Sequence, residues 1–402
     1  MQILALNCGS SSVKFAQLDP SAPDGSEQGI RGLAENLDGG DTALLRFSDA
    51  GSQGSRNLET ANHEAAVRGI LTLLRERGEG LRALSAVGHR VVHGGESFRT
   101  SARIGPSVIE RIEELSALAP LHNPINLLGI GLLREALPDL PQVAVFDTAF
   151  HQSLPPRAFR YALPGRLYRE LGVRRYGFHG SSHRYVAHEA IRMLALDVDR
   201  SALVTAHLGN GCSASAVLGG RSVDTSMGLS PLEGLVMGTR SGDVDPGLHE
   251  YLARRMRLGL SEITALLNEQ SGLLGVSEQS HDMRQLWAAS EAGDERAALA
   301  VELFCYRLAK QVAALVVPLA RLDALVFTGG IGENAAGVRA RVLALLGHLG
   351  LQVDAARNAR HGRDSGGIIS RDRRPVALVV PTDEEMLIAR ETAALIEASP
   401  AA

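Results

Sequence analysis

Short apolar runs ending in glycine-rich turns alternate along the chain with longer runs of helical spacing. Runs 3–6 and 13–18 predict two strands of a hairpin around the polar turn NCGSSS, where a glycine permits the bend. Residues 20–62 are rich in Gly, Ser, Asp and Pro and predict a surface region with short strands at most, such as 43–47. The pattern then predicts a helix over 63–77, a strand over 86–92 and helices over 107–117 and 124–135, the last capped by Asn123 with Pro124 in its first position. A strand over 143–146 closes the first half, and the passage LPPRAF that follows predicts a domain crossing.

The second half opens with a similar device. Strand-like runs 203–208 and 213–218 flank GNGCS, so the strand, Asn/Gly/Ser turn, strand pattern appears twice and suggests an internal duplication. Residues 292–319 form the longest helical pattern, with Leu299, Leu303, Tyr306, Ala313 and Val316 on one stripe, expected to be core or interface. A strand over 324–328 leads into the glycine turn GGIGEN, and one over 376–380 leads through PTDEE into a C-terminal helix. Strands alternating with helices imply an α/β fold.

Composition narrows the class. The 402 residues are 45% apolar and 21% charged, enough for two or three domains of ordinary globular type. A net charge of −4 argues against a dedicated nucleic-acid binder. Three distant cysteines support neither a disulfide framework nor a zinc knuckle, which fits a reducing cytoplasm. The longest apolar run, 312–320, is far short of a bilayer span.

Several turns carry the candidate chemistry. NCGSSSVK offers backbone N–H groups at a glycine, the hydroxyls of Ser10 and Ser12 and the ammonium of Lys14, all suited to phosphate. It lacks the P-loop spacing and precedes a strand, and GGIG does not complete a dinucleotide fingerprint. GNGCS and GGIGEN follow apolar strands, where bare backbone can approach a ligand. Arg90 in GHRVVHGG and Arg240 in GTRSGD stand beside glycines, and an arginine fork suits carboxylate and phosphate oxygens. Asp147 follows the strand VAVF, where α/β sheets present ligand-facing groups. Glu384 begins the last helix, where a carboxylate is stabilising without any function. His179 and His183 in HGSSH have a metal-like spacing, but Gly and Ser are expected to spoil a helix there and no acidic partner completes a zinc motif.

The segments NCGSSSVKF, GHRVVHGG, LAPLHNP, FDTAFH, YGFHGSSH, HLGNGCS, DTSMGLSPLEGLVMGTRSGDVDP, FTGGIGEN and PTDEEMLIAR occur in order from residue 7 to residue 390. With them the chain closely resembles the acetate kinases. The resemblance implies the duplicated two-domain α/β fold of acetate and sugar kinases, Hsp70 and actin, ribonuclease H-like in each half, with an interdomain cleft. It further implies an N-terminal domain over 1–150 joined by the C-terminal helix at about 385–402, a nucleotide-binding domain over 151–384, and a cytoplasmic homodimer with no nucleic-acid or membrane partner. The implied reaction is reversible, magnesium-dependent transfer from ATP to acetate, with manganese as a substitute ion.

By the same resemblance Arg90, Asp147, His179 and Arg240 are catalytic, and Asn7 and Glu384 are the metal ligands. Val92, Leu121, Phe178 and Pro231 surround the acetate methyl, with His122 facing the phosphoryl group. Asn7, Ser10, Ser12 and Lys14 form the N-terminal catalytic turn. The nucleotide stretches are His207, Leu208, Gly209, Asn210 and Gly211; Asp282, Met283 and Arg284; and Gly330, Ile331, Gly332, Glu333 and Asn334. Cys8 and Cys212 stand where the family usually has alanine, and Asp383 where it usually has asparagine. The competing readings are a propionate or butyrate kinase of the same superfamily and an Hsp70- or actin-like ATPase.

Overall fold

The computed structural model describes all residues except 10, 23–28, 38, 40–42, 50, 78–79, 372–373 and 399–402, so Ser10 lies outside the described residues. Two compact units divide the chain: Met1–Phe150 with Asp383–Ala402, and His151–Thr382. The return to the first unit falls between Thr382 and Asp383, which places Glu384 with Asn7 rather than in the second domain over 151–384.

The first unit holds β1 (Gln2–Cys8), β2 (Ser12–Leu18), β3 (Ile30–Glu35), β4 (Leu44–Asp49), β5 (Ser52–Asn57), β6 (Leu84–Val91), β7 (Ala102–Arg103) and β8 (Gln142–Phe146), in the spatial order β5-β4-β3-β2-β1-β6-β8-β7. β1 is antiparallel to β2 and parallel to β6, which is parallel to β8. Both faces of the centre are covered, so β1 reads as nearly continuous apolar sequence. Leu4, Leu6 and Phe15 pack with Ile70 and Leu74 of the helix His63–Glu76 and Leu133 of the helix Asn123–Ala136. On the other face Ile3, Ala16 and Ala86 meet Met386 and Ala389 of the helix Glu384–Ala398.

Two expectations for this half need correction. The short strand expected at 43–47 is present as β4, but the described part of residues 20–62 holds three such six-residue strands, and they extend the sheet as an antiparallel meander instead of forming a separate surface region. Their composition hid them because glycine stands inside two of them. Cβ atoms at Gly32 and Gly54 would lie 2.3 Å from Phe15 Cε1 and 2.4 Å from Phe47 Cζ, so each glycine makes room for a cross-strand ring. Asn123 is the first residue of its helix and does not cap it. Its amide accepts from His93 N–H at 3.1 Å and donates to the His93 carbonyl at 3.0 Å.

The second unit holds β9 (Ala202–Leu208), β10 (Cys212–Leu218), β11 (Arg221–Thr225), β12 (Ala324–Thr328) and β13 (Val376–Val379), ordered β11-β10-β9-β12-β13. Its pairing repeats β3-β2-β1-β6-β8: three antiparallel strands, then two parallel additions. The duplication suggested by two similar turns is therefore present in the strand order itself.

Here too local pattern misled. HGSSH does enter a helix, Gly180–Met193, with His179 as its left-handed N-cap at φ 54°. The small residues fit because Gly180, Ser181 and Ser182 are buried, where bulk and not helix propensity decides. In the helix Glu295–Val316 the buried stripe is Ala297, Val301, Phe304, Leu308, Val312 and Leu315, while Leu299 and Tyr306 of the stripe expected to be core or interface are exposed, which takes them out of the core. Both stripes have helical period, and only the tertiary packing chooses between them. GGIGEN is a short helix, Gly329–Asn334, and not an open turn.

The close approach of β6 to the C-terminal helix generates a stability prediction. A Cβ at Gly88 would lie 2.3 Å from Thr392 Oγ1 and 2.5 Å from Ile388 Cγ2. Gly88→Ala is expected to destabilise the protein by about 1–3 kcal/mol through overpacking. An unchanged urea midpoint would show that the helix yields without cost.

Candidate functional site

In the first unit strand register assembles a charged cluster. Leu6 lies opposite His89 and Phe146 opposite Val91, so Asn7, Arg90 and Asp147 arrive at one end of the sheet. Arg90 Nε donates to Asp147 Oδ1 at 2.9 Å and Oδ2 at 3.1 Å, and Nη2 also reaches Oδ2. Arg90 Nη1 donates to Asn7 Oδ1 at 2.9 Å, and Asn7 Nδ2 donates to Glu384 Oε2 at 3.3 Å. The asparagine amide thus links the ion pair to the helix carboxylate. Asp147 is fully buried. Burial opposes the charge on Arg90, but Asp147 and then Glu384 outweigh it and hold the guanidinium protonated beyond the usual arginine range.

The strand ends around this cluster are tied from the helix Asn123–Ala136. Asn126 accepts from Val92 N–H at 3.0 Å and donates to the Cys8 carbonyl at 2.9 Å, so one amide spans the NCG turn and the end of β6. Ser12 starts β2, and Lys14, exposed on that strand, lines a cavity of about 300 Å³ with Arg31 and Glu385. Asp383 caps the last helix by accepting from Met386 N–H at 2.9 Å, and Arg31 grips it at 3.1 and 2.8 Å. The cap role considered for Glu384 thus belongs to its neighbour. Burial, then the charge of Glu384, pushes the Glu385 carboxyl up. Val92 is buried, His122 is half-buried and Leu121 is 64% exposed.

In the second unit a Cβ at Gly211 would lie 3.1 Å from His179 Cε1 and 3.6 Å from Arg240 Nη1, so the bare glycine, the imidazole and the guanidinium face one small space. Arg240 donates to the Pro231 carbonyl at 3.1 Å and forms no ion pair among the described residues. Burial lowers its pKa from the ordinary arginine value. Phe178 is buried beside His179, and Pro231 is half-buried.

Parts of all three glycine- and Asp-bearing stretches converge on another cavity of about 650 Å³, lined among others by Gly209, Asn210, Asp282, Arg284, Ile331 and Asn334. Met283 and Gly330 complete their contributions. Asp282 caps the helix Met283–Glu291 through Arg284 N–H at 2.8 Å. His207, Leu208, Gly211, Gly332 and Glu333 are not among the residues that line this cavity. His207 Nδ1 meets Ser182 Oγ at 2.8 Å, and Leu208 and Gly332 are buried. The Glu333 carboxylate accepts from Gly329 N–H at 3.0 Å and Thr382 N–H at 3.1 Å.

Sequence reading missed two contributors here. Trp287 forms a wall of the large cavity and carries the Arg341 guanidinium 4.7 Å from its ring centroid. Its position as the only tryptophan in a chain with few aromatics was an available signal. Arg339 is fully buried and donates to the Gly332 and Glu333 carbonyls at 2.8 and 2.9 Å, holding the short glycine helix. Nothing local distinguishes it from the other arginines. Cys8 and Cys212 are buried, and burial pushes both thiols up to about 12, so neither is a reactive thiolate.

Residues 2–390 match the model of the Acetokinase family. The acetate kinase of Deinococcus radiodurans is 54% identical over 396 residues, covering 98% of each chain. That of Ectopseudomonas mendocina is 52% identical over 396 residues, covering 98% of this chain and 99% of its own. Among solved structures, a propionate kinase from Francisella tularensis superposes with a TM-score of 0.91 at 43% identity, covering 97% of this chain and 98% of its own. Porphyromonas gingivalis acetate kinase gives 0.88 at 42%, covering 98% and 99%. Identity above one half over nearly the full length, on the same fold, establishes that the chain belongs to the acetokinase family.

Proposed function

We propose that this protein reversibly transfers the γ-phosphoryl group of ATP to a carboxylate oxygen of acetate, giving acetyl phosphate and ADP. The observation that carries the reading is Arg240: a guanidinium drawn out of water, with a carbonyl as its protein partner, beside His179 and over Gly211. Desolvating a cation without an anion is costly, and a bound phosphoryl group supplies the missing charge. Phosphoryl transfer passes through a loose transition state whose equatorial oxygens are stabilised mainly by positioned positive charge, which suits Arg240 and His179. The 650 Å³ cavity with Trp287 and Ile331 on its wall suits the adenosine end of the donor.

Arg90 is the acceptor's group in this reading. Acetate is ionised at neutral pH and needs no general base. Asp147, with both oxygens engaged by Arg90, orients the guanidinium for a carboxylate and does not abstract a proton. Glu384 and Asn7 offer a carboxylate and an amide oxygen, hard donors that fit magnesium with waters in its remaining positions. When bound there the ion would neutralise charge developing on the phosphates. The reading includes a cytoplasmic homodimer. Propionate is the competing acceptor, favoured by the likeness to a propionate kinase; initial rates with acetate, propionate and butyrate rank the three.

Three measurements test the reading. With ATP, magnesium and acetate, hydroxylamine is expected to trap acetyl hydroxamate, and Arg240→Ala to lower turnover by roughly 10³–10⁵ while the protein stays folded. ATP consumption without hydroxamate would instead mark an Hsp70-like ATPase. Titration with MgADP is expected to change the emission of Trp287, the sole tryptophan; constant emission up to saturation would remove the large cavity as the nucleotide site. Glu384→Ala is expected to raise the magnesium concentration needed for half-maximal turnover and lower the maximum. A mere helix-terminus role would cost only about 0.3–1 kcal/mol of stability and leave the magnesium dependence unchanged.

A further inference from the structure

Beneath His179 runs a chain of buried hydrogen bonds that the transfer reaction, as described so far, does not use. His179 Nδ1 meets Ser213 Oγ at 3.2 Å, Ser213 Oγ meets His183 Nε2 at 2.6 Å, and His183 Nδ1 meets Thr205 Oγ1 at 2.7 Å. Thr205 Oγ1 in turn donates to the Ser215 carbonyl at 3.5 Å. Ser213, His183 and Thr205 are fully buried. A second histidine reaches the same place from the other side: His151 Nε2 donates to the Phe178 carbonyl at 3.1 Å, and Ser222 Oγ meets its Nδ1 at 2.8 Å.

The chain has a direction because a carbonyl can only accept. With the Thr205 hydroxyl proton spent on the Ser215 carbonyl, its oxygen accepts from His183 Nδ1–H. A neutral His183 then presents the lone pair of Nε2, so Ser213 O–H donates to it, and Ser213 Oγ is left to accept from His179 Nδ1–H. The short 2.6 Å contact is typical of a hydroxyl donor and the longer 3.2 Å contact of a ring N–H donor. Burial, reinforced by the neighbouring His151 and His207, holds His183 well below the ordinary histidine range, and burial lowers His151 to about 4. Both stay neutral near pH 7, as the directional chain requires.

We propose that Ser213 and His183, anchored by Thr205, are positioning residues that hold the proton of neutral His179 on Nδ1, so that Nε2 can donate to a phosphoryl oxygen only when the ring is an imidazolium. The inference rests on the reaction proposed above and deepens it. A neutral His179 in this tautomer turns a lone pair toward an anion, whereas the imidazolium adds positive charge beside Arg240. The backbone agrees with a position under constraint: His179 holds a left-handed conformation, uncommon for a residue other than glycine, at the start of its helix. Among the described residues the titratable groups around the ring include His207, 4.4 Å away between ring centroids, Arg240 across Gly211, and His183 through Ser213, with His151 against His183 at 5.7 Å between ring centroids.

The direct test is the ¹⁵N and ¹H spectrum of histidine-labelled protein at a pH where His179 is neutral, with His179→Gln assigning the resonance. The expected result is a proton on Nδ1 in the parent, moving toward Nε2 in Ser213→Ala and in Thr205→Val. A proton on Nε2 in the parent overturns the proposal. In turnover, Ser213→Ala is expected to lower kcat at pH 7 by roughly 10–100-fold, the range for losing the group that orients a functional histidine. Its activity is also expected to decline less steeply at alkaline pH than that of the parent, because neutral His179 can then donate from Nε2. Circular dichroism and the Trp287 titration identify any variant that has lost its fold. Alkaline profiles that superpose for folded parent, Ser213→Ala and Thr205→Val also overturn the relay. The spectrum does not depend on the substrate, so failure of the relay and failure of the acetate assignment are distinguishable.

Discussion

A guanidinium withdrawn from water must be neutralised, and the two halves of this chain meet that constraint differently. In the first unit Asp147 lies at the end of β8, one strand from Arg90, and takes up three of its hydrogen bonds. Removing one member of such a pair is more damaging than the pair is stabilising, because the other charge is then left uncompensated. The surrounding structure serves the pair: parallel register brings the strand ends level, Asn7 occupies Nη1, and the asparagines of one helix tie down the adjoining backbone. In the second unit the guanidinium of Arg240 meets, among the described residues, the Pro231 carbonyl and no carboxylate. In the proposed reaction that difference gives the two arginines different tasks, one held oriented by its carboxylate, the other completed by the transferring group.

The duplicated sheet explains how such groups can be placed without long loops. In each unit the first two strands form a hairpin with glycine in its turn, and parallel strands are added beside the first. Each turn combines a bond of its own with one from outside. In NCG the Gly9 N–H donates to the Ser12 carbonyl at 2.8 Å and Asn126 donates to the Cys8 carbonyl at 2.9 Å; in GNGC the Gly209 N–H donates to the Gly211 carbonyl at 3.0 Å and the Gly238 N–H donates to the Asn210 carbonyl at 2.9 Å. Gly211 carries no side chain, and the Ser213 hydroxyl links His183 to His179 beside it, with Thr205 on the far ring nitrogen of His183.

Much of the chemistry was legible locally because it lies in turns or at the strand ends beside them, where composition departs sharply from that of strand and helix interiors. Arg90, Asp147, Asn7 and Arg240 could all be selected from glycine neighbours, strand ends and the family segments. Arg31 could not, since it lies in a glycine-containing strand without a strong apolar pattern and meets Asp383 across 352 positions. Ser213 and Thr205 were equally hidden, as hydroxyls inside apolar strands give no sign of which neighbour they bond.

The sequence by itself determined the alternation of strands and helices, the central strands, the family and the residue types available to bind anions, because these follow from local pattern and from long ordered motifs. Only the tertiary structure decided which stripe of the helix Glu295–Val316 is buried, that HGSSH begins a helix, that Asp383 rather than Glu384 caps the last one, and which arginine is paired. Each of those outcomes depends on a partner distant in the chain. Burial and hydrogen bonding are set by what lies opposite, and a single residue's identity does not carry that information.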